Sequence, residues 1–329
     1  MNKTMLSILK ILEKHQERPL GSRELSRQLR LHGVELTERT VRYHLKIMDE
    51  KGLTRVYGKE GRKITPGGIE ELRTAMVSDR VGFIISKIET LSYQTDFDLQ
   101  SESGGVILNV SCFPEEAAGA AFRVMKPVFA SPYVMSDRVA VARGGEHIAD
   151  VAVPEGMIGI GTVCSVTVNG IFLKSSVPVT SKFGGILQIE GGEPTRFVSV
   201  ISYSGSSLDP HLVFIKSGMT SISEAVKGGH GTVLASFREI PVVCVEKALE
   251  LQERLRSIGM GGILLVGNPN QPLVEMPVGM DRAGMVVVGG LNPVGALEEA
   301  DITTENAAMA ILKDYAELVP FKEAIKQAV

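Results

Sequence analysis

One stretch restricts the fold more than any other, Thr37 to Lys51, TERTVRYHLKIMDEK. At helical spacing Val41, Leu45 and Met48 form a stripe that has to be buried, while Glu38, Arg39, Arg42, Tyr43 and Lys46 fall on the opposite side. Thr37 offers its hydroxyl to the free amides of the first turn, and the helix stops near Gly52. A cationic stripe carrying an aromatic ring suits contact with phosphates and base edges. Solvated surface helices have the same composition. The flanking sequence decides between the two.

Upstream, Met5, Ile8, Leu9 and Leu12 predict a first helix over Lys3–His15, interrupted by Pro19-Leu20-Gly21. Ser22 can cap a second helix, Arg23–Leu31, with Leu25 and Leu29 buried and the arginines outward. Downstream, Leu53–Tyr57 and Arg62–Thr65 are strand-length runs joined by the turn Gly58–Gly61 and closed by Pro66-Gly67. Three short helices, the third basic, followed at once by a hairpin resemble winged helix-turn-helix transcription regulators. The resemblance implies duplex DNA as partner. Arg39, Arg42, Tyr43 and Lys46 are then the expected base readers, and Arg55, Lys59, Arg62 and Lys63 of the hairpin the expected phosphate contacts. His44 is expected to pack rather than to ligate anything.

Charge is distributed to match. Residues 1–80 hold 17 Lys and Arg against 11 Asp and Glu, a balance of +6; the rest holds 18 against 27, a balance of −9, and together they give the net −3. A basic head on an acidic body is the pattern of a nucleic-acid-binding protein with a separate second module. The expected boundaries are 1–78 for the head and 79–329 for the body. Between them Glu70–Leu91 reads as a helix with Met76, Ile84, Ile85 and Ile88 on its apolar face. Such a helix serves as a dimer element or caps the second domain, and the residues leave both readings open.

From Val106 onward, short apolar runs alternate with glycine-rich turns: VILNVSCF, RVAVA, HIADVAV, MIGIGTVCSVTV, GIFLKS, GILQIEGG, LVFI, GTVLASF, GGILLVGN, PLVEMPV and AGMVVVGGL. Helices are expected at Glu115–Met125, Ser221–Val226 and Val245–Ile258. Gly161-Thr-Val-Cys-Ser165 matches Gly231-Thr-Val-Leu-Ala-Ser236, and Gly184-Gly185 matches Gly261-Gly262, which suggests a duplicated unit over roughly 100–205 and 206–329. The fold class expected is therefore α+β, a winged helix-turn-helix domain followed by a β-rich α/β body with an internal duplication.

Several phrases of the body are similar to one known family: DPHLVFIKSGMTS, ASFREIP, GMGGILLVGNPNQPLVEMPVG, DRAGMVVVGGLNPVGALEEA and LVPFKE resemble the regulatory module of the NrpR family, nitrogen regulators of methanogenic archaea with relatives in some bacteria. Together with the head, the resemblance spans essentially the whole chain. It implies a homodimeric repressor of nitrogen-assimilation genes, bound to an inverted-repeat operator and released by 2-oxoglutarate. Many archaeal members carry two regulatory modules, or a partner bearing the second, whereas this length leaves room for one.

The three cysteines, Cys112, Cys164 and Cys244, have neither zinc spacing nor the even number of a disulfide framework, which points to a reducing, cytoplasmic interior. No apolar run suits a bilayer. Dinucleotide, P-loop, nucleophile-elbow and paired-histidine signatures are missing, so no cofactor, metal or catalytic group is expected. A dicarboxylate effector needs cations or amide nests together with hydroxyl donors. Thr162, Cys164 and Ser165 in one copy, and Ser236 with Arg238 in the other, are the candidates, with His230 of Gly-Gly-His-Gly as an outlying one. Lys182, Arg196 and Arg282 are further cations. Two other readings remain at this stage, a regulator answering to another metabolite or signalling protein, and an enzyme fused to a regulatory head.

Overall fold

The structure, a computed structural model, describes residues 3–31, 33–74 and 82–328. The chain divides into two compact units, Met1–Val81 and Gly82–Val329. In the first, α1 (Lys3–Lys14), α2 (Ser22–Leu31) and α3 (Glu38–Glu50) precede the hairpin β1 (Thr54–Tyr57) and β2 (Gly61–Ile64), and α4 (Pro66–Thr74) follows. The stripes read from periodicity meet in one core: Ile8, Leu9, Leu25, Leu29, Val41, Leu45 and Met48 are all fully buried. The Thr37 hydroxyl accepts the Thr40 amide at 3.2 Å, capping α3 as its sequence requires.

Two details of the head differ from expectation. α2 begins at Ser22 itself, whose hydroxyl donates across to Glu38. Pro66-Gly67 does not close the hairpin but opens α4, since proline suits a first helical turn where its missing N–H has no partner to lose. Gly61 starts β2 with φ +130, and a Cβ there would stand 2.2 Å from the Leu20 carbonyl oxygen. That close approach lets Leu20 and Arg62 exchange backbone hydrogen bonds, tying the hairpin to the turn before α2. Of the helix expected over Glu70–Leu91, residues 75–81, Met76 included, lie outside the described residues. The described remainder is α4 and α5 (Phe83–Gln94), which starts after Gly82 in the left-handed region. Ile84 and Ile88 of α5 pack on Ile107, Val166 and Met309, so this apolar face covers the second unit.

The second unit runs twice through one itinerary. β3 (Gly105–Pro114) ends at a proline and passes through a 3-10 turn into α6 (Ala118–Phe129); β4 (Arg138–Arg143), the short ribbon β5 (His147–Ile148) and β6 (Val151–Ala152), β7 (Met157–Val163), α7 (Val166–Lys174) and β8 (Thr180–Glu190) follow, then β9 (Glu193–Ser202). After α8 (Pro210–Lys216) and α9 (Ile222–Gly228) the path repeats: β10 (Gly231–Pro241), again ending at a proline and a 3-10 turn, α10 (Val245–Ser257), β11 (Ile263–Val266), β12 (Arg282–Val288), α11 (Asn292–Glu299) and β13 (Glu305–Asp314). β14 (Val319–Pro320) and α12 (Phe321–Ala328) end the chain.

The copies exchange strands. One sheet has the order β13-β3-β7-β4-β14 and the other β11-β12-β10-β8-β9, with every neighbouring pair antiparallel. β8 belongs by chain to the first copy yet pairs with β10, while β13 of the second pairs with β3. The division at residue 205 is therefore corrected: neither half holds a complete sheet. The matched phrases are corrected too. Gly161–Ser165 closes β7 and enters α7, so its counterpart is the end of β12, not Gly231–Ser236, which opens β10; Gly184-Gly185 lies inside β8, whereas Gly261-Gly262 precedes β11. Similar Gly/Val/Thr runs arise wherever a strand is buried on both faces, so the phrases resembled each other for a reason other than descent from one position. Two stretches read as strands are helical: SVTV with GIFLKS, which form α7, and LVFI, which lies in α8. PLVEMPV is a loop with a single bridge between Leu273 and Met276.

Candidate functional site

Two places combine exposed or unpaired chemistry with a rigid frame, one in each unit. In the first, α3 presents Arg39, Arg42, Tyr43 and Lys46 to solvent, Tyr43 at 63% exposure, with no other described element of the unit covering them. Arg39 has no partner among the described residues. Arg42 pairs with Glu38 and its Nε donates to the Ser22 hydroxyl at 3.2 Å, while Lys46 lies 4.0 Å from Glu50. The hydrogen bonds from Arg42 and Ser22 hold the Glu38 carboxyl below the usual carboxylate range. Exposed pairs of this kind are screened by solvent and contribute little, so phosphates can take the cations at small cost. The network also fixes the start of α3 against α2, a role for Ser22 and Glu38 that spacing alone did not reveal.

The hairpin cations separate into two kinds. Arg55 and Lys59 are exposed and unpaired among the described residues. Arg62 is a latch: its Nε donates to Asp49 Oδ2 at 2.7 Å, both side chains are less than a quarter exposed, and Asp49 Oδ1 accepts from Thr54 at 2.6 Å. Lys63 donates to the Glu17 carbonyl at 2.8 Å and lies 5.7 Å from the centre of the Tyr57 ring. The expectation that all four meet phosphates is thus narrowed, because β2 turns Arg62 back onto α3 and Lys63 onto the turn after α1. Arg23, 92% exposed beside Glu38, adds a cation at the edge of the α3 face. His44 packs with its ring edge to Tyr43 and leaves a buried Nδ1 without a partner.

In the second unit, Arg238 on β10 is 1% exposed. Its Nη1 donates to Asn169 Oδ1 at 2.5 Å and its Nη2 to the Ser165 carbonyl at 2.9 Å, while Nε has no partner. Both acceptors are neutral. Adjacent Glu239 faces the other way, 3.6 Å from Lys182, and accepts the Gly279 amide. Burial pulls the Arg238 guanidinium down to about 10, so it stays a cation at neutral pH. A buried donor left unsatisfied costs about 1–3 kcal/mol, more when charged, so the arrangement is costly unless something else completes it.

Around it the expected ligand residues are sorted by the two sheets. Cys164, Ser165, Ser236 and Arg238 converge, brought together because α7 of one copy sits over β10 of the other. The Ser236 hydroxyl donates to the Val287 carbonyl at 3.3 Å. Burial pushes the Cys164 thiol up to about 11, which keeps it protonated and inert. Thr162 is buried opposite Asn109, with its hydroxyl unpaired among the described residues. His230 is exposed at the opposite end of β10, so it does not belong to the cluster. Asn169, Tyr203, Asp209 and His211 are the members sequence reading missed; they come from α7 and the segment after β9, far along the chain from Arg238.

Two spaces adjoin the cluster. A cavity of about 10 Å³ is bordered by Asn109, Cys164, Ser165, Tyr203, Asp209 and His211. An open cleft of about 610 Å³ lies beyond Asn169, lined by Ser181, Lys182 and Ser202 on the strands, by Ser204 in the turn after β9, and by Ile88, Glu89 and Ser92 on α5. The described residues contain no group of three or more His, Cys, Asp or Glu placed to hold a metal. No described helix is long and apolar enough to cross a membrane.

Residues 81–320 match the family described as NrpR regulatory domains NRD1 and 2, and residues 6–72 match the Ribonuclease R winged-helix domain. The chain is 35% identical to the global nitrogen regulator NrpRI of Methanosarcina mazei over 96% of its own length and 97% of that protein. It is 31% identical to the global nitrogen regulator NrpR of Methanococcus maripaludis over 94% of the chain, and spans 54% of that longer protein. For NrpR of Methanocaldococcus jannaschii the figures are 30%, 94% and 53%. Among solved structures, a nitrogen repressor-like protein from Methanococcus jannaschii superposes with a TM-score of 0.61 at 34% identity, covering 72% of this chain and 97% of that one.

Proposed function

Because the chain belongs to the NrpR family and is thus a nitrogen transcription regulator, not an enzyme, we propose that it represses nitrogen-assimilation genes by binding an inverted-repeat operator as a homodimer. The observation that carries this reading is the uncovered basic face of α3, framed by a wing whose register is locked by Arg62 and Asp49. Two heads held about one helical turn apart, roughly 34 Å, read both half-sites from one side of the duplex. 2-Oxoglutarate, the carbon skeleton that accumulates when ammonia is short, is the proposed inducer. For it to release DNA it has to bind the DNA-incompetent arrangement better than the competent one. The buried cation of Arg238 supports an anionic effector of this class.

The test is operator binding on fragments selected from random DNA. Millimolar 2-oxoglutarate is expected to weaken binding about tenfold, within the usual 5- to 150-fold span of such couplings. Unchanged or tighter binding removes the inducer from the proposal. Within the same assay, Lys59→Ala is expected to lower the slope of log affinity against log salt by about 0.9, the share of one phosphate contact. An unaltered slope places Lys59 away from the DNA.

A further inference from the structure

The exposed cations of α3 are not held alike. Arg39 has no partner among the described residues, and Lys46 stands 4.0 Å from Glu50 on an exposed turn. Arg42 is fixed by two residues, one of them from another helix. We infer that Ser22 and Glu38 are positioning residues that hold the Arg42 guanidinium with its outer edge toward the major groove, set to read a guanine in each operator half-site. This rests on the reading of the chain as an operator-binding protein.

Three observations carry it. First, the contacts close into a ring. The Ser22 hydroxyl donates to Glu38 Oε1 at 3.1 Å, Arg42 Nε donates to the Ser22 oxygen at 3.2 Å, and Arg42 Nη2 donates to the same Glu38 oxygen. A single exposed pair leaves a long side chain free to swing, whereas a ring of three contacts restricts the guanidinium plane. Ser22 lies twenty residues before Arg42, so α2 is the fixed support. Second, the ring uses only one edge of the fork. An arginine carries its five N–H donors in one plane. Nε and one proton of Nη2 are turned to Ser22 and Glu38, Nη1 has no partner among the described residues, and the Arg42 side chain is 64% exposed. The edge left open, Nη1 with the other proton of Nη2, is a donor pair suited to O6 and N7 of guanine. Third, Glu38 stands on the cationic face as a carboxylate. The hydrogen bonds from Arg42 and Ser22 keep it ionised, and Arg23 Nε lies 3.9 Å from its other oxygen. Phosphates repel a carboxylate, so general attraction to DNA is no reason for one here. What Glu38 does is orient Arg42.

The consequence falls on discrimination. A guanidinium placed before contact loses less freedom when it meets a base. The Glu38 charge weakens attraction to phosphates at every sequence alike, so the pair of effects separates the right base from the wrong one more than it changes overall affinity. Arg39, untethered, has no such preset direction.

Anisotropy titrations of the full chain on the selected operator, on duplexes carrying each single base-pair change, and on random duplex test this. Ser22→Ala and Glu38→Gln are made alone and in an Arg42→Ala background. Arg42→Ala is expected to reduce discrimination at one G·C pair of the half-site about tenfold or more. Ser22→Ala and Glu38→Gln are each expected to reduce it about threefold at that same pair, with random duplex bound as tightly as by wild type or more so. Once Arg42 is alanine, each is expected to change it by less than about twofold, because a residue that acts through another loses its effect when that one is gone. Melting curves identify a variant that fails to fold, and the other then carries the cycle. Equal losses with and without Arg42 make Ser22 and Glu38 supports of the α2–α3 packing and overturn the inference. A loss at a base pair that Arg42→Ala leaves alone, or at an A·T pair, overturns it too. If wild type discriminates among duplexes and Arg42→Ala relaxes no position, the inference falls while operator binding stands. If wild type prefers no duplex to random DNA, operator reading itself fails and takes the inference with it.

Discussion

A protein with both Arg39 and Arg42 replaced by alanine is expected to bind its selected operator about 100-fold or more weakly, with a melting temperature close to that of wild type. Each side chain that reaches a base edge or positions a phosphate contributes about 1–3 kcal/mol, and the two stand next to each other on the uncovered face of α3. The fold loses little. Arg39 has no partner among the described residues, and Arg42 loses only its exposed, solvent-screened pair with Glu38 and a hydrogen bond to Ser22. Binding to random duplex should fall less than binding to the operator, because phosphate attraction survives in Arg23, Arg55 and Lys59. Anisotropy titrations on both duplexes decide it. An equal loss on both demotes these residues to general phosphate contacts, and no loss on either moves the recognition surface off α3.

Asp49→Ala is expected to destabilise the winged-helix unit by about 2 kcal/mol, read as an earlier melting transition of residues 1–81. One carboxylate holds two partners there, the Arg62 guanidinium at 2.7 Å and the Thr54 hydroxyl at 2.6 Å. Both acidic and basic side chains are largely shielded, at 21% and 23% exposure, so the pair is screened less than a surface bridge, and its loss leaves a charge and a hydroxyl in search of water. The effect on DNA should follow through geometry. With the β2 strand released from α3, Arg55 and Lys59 lose their fixed position, and operator affinity drops although neither residue has changed. Arg62→Ala should reproduce the stability loss. If instead Arg62→Ala leaves melting unaltered and only lowers the salt dependence of binding, Arg62 is a phosphate contact and the latch is refuted.

How much of this was legible beforehand depended on the range of the interactions involved. The head was nearly complete in the sequence. Val41, Leu45 and Met48 are buried, Thr37 caps, and the hairpin forms within a residue of the expected bounds, because helical periodicity, an N-cap and a tight turn are settled by residues a few positions apart. The body was less so. α7, VTVNGIFLK, is β-branched and apolar on every side, so it carries neither the moment of an amphipathic helix nor the polar flank that separates helix from strand. It is helical because its whole circumference is covered by sheet and neighbouring helix.

The candidate sites divide in the same way. Residue type and spacing by themselves established a winged helix-turn-helix head with a basic α3 and a short list of polar residues that included Arg238. Tertiary structure alone decided that β8 and β13 trade places between the sheets, that Arg62 and Lys63 are tied inward while Arg55 and Lys59 stay free, and that Arg238 lies against Asn169 instead of in water. The physical reason is that a side chain's charge is written in the chain, but its solvation is not. Whether a cation keeps its water, finds a carboxylate or is left with neutral oxygens depends on which distant strand or helix closes over it, and here those partners come from the exchanged halves of the fold.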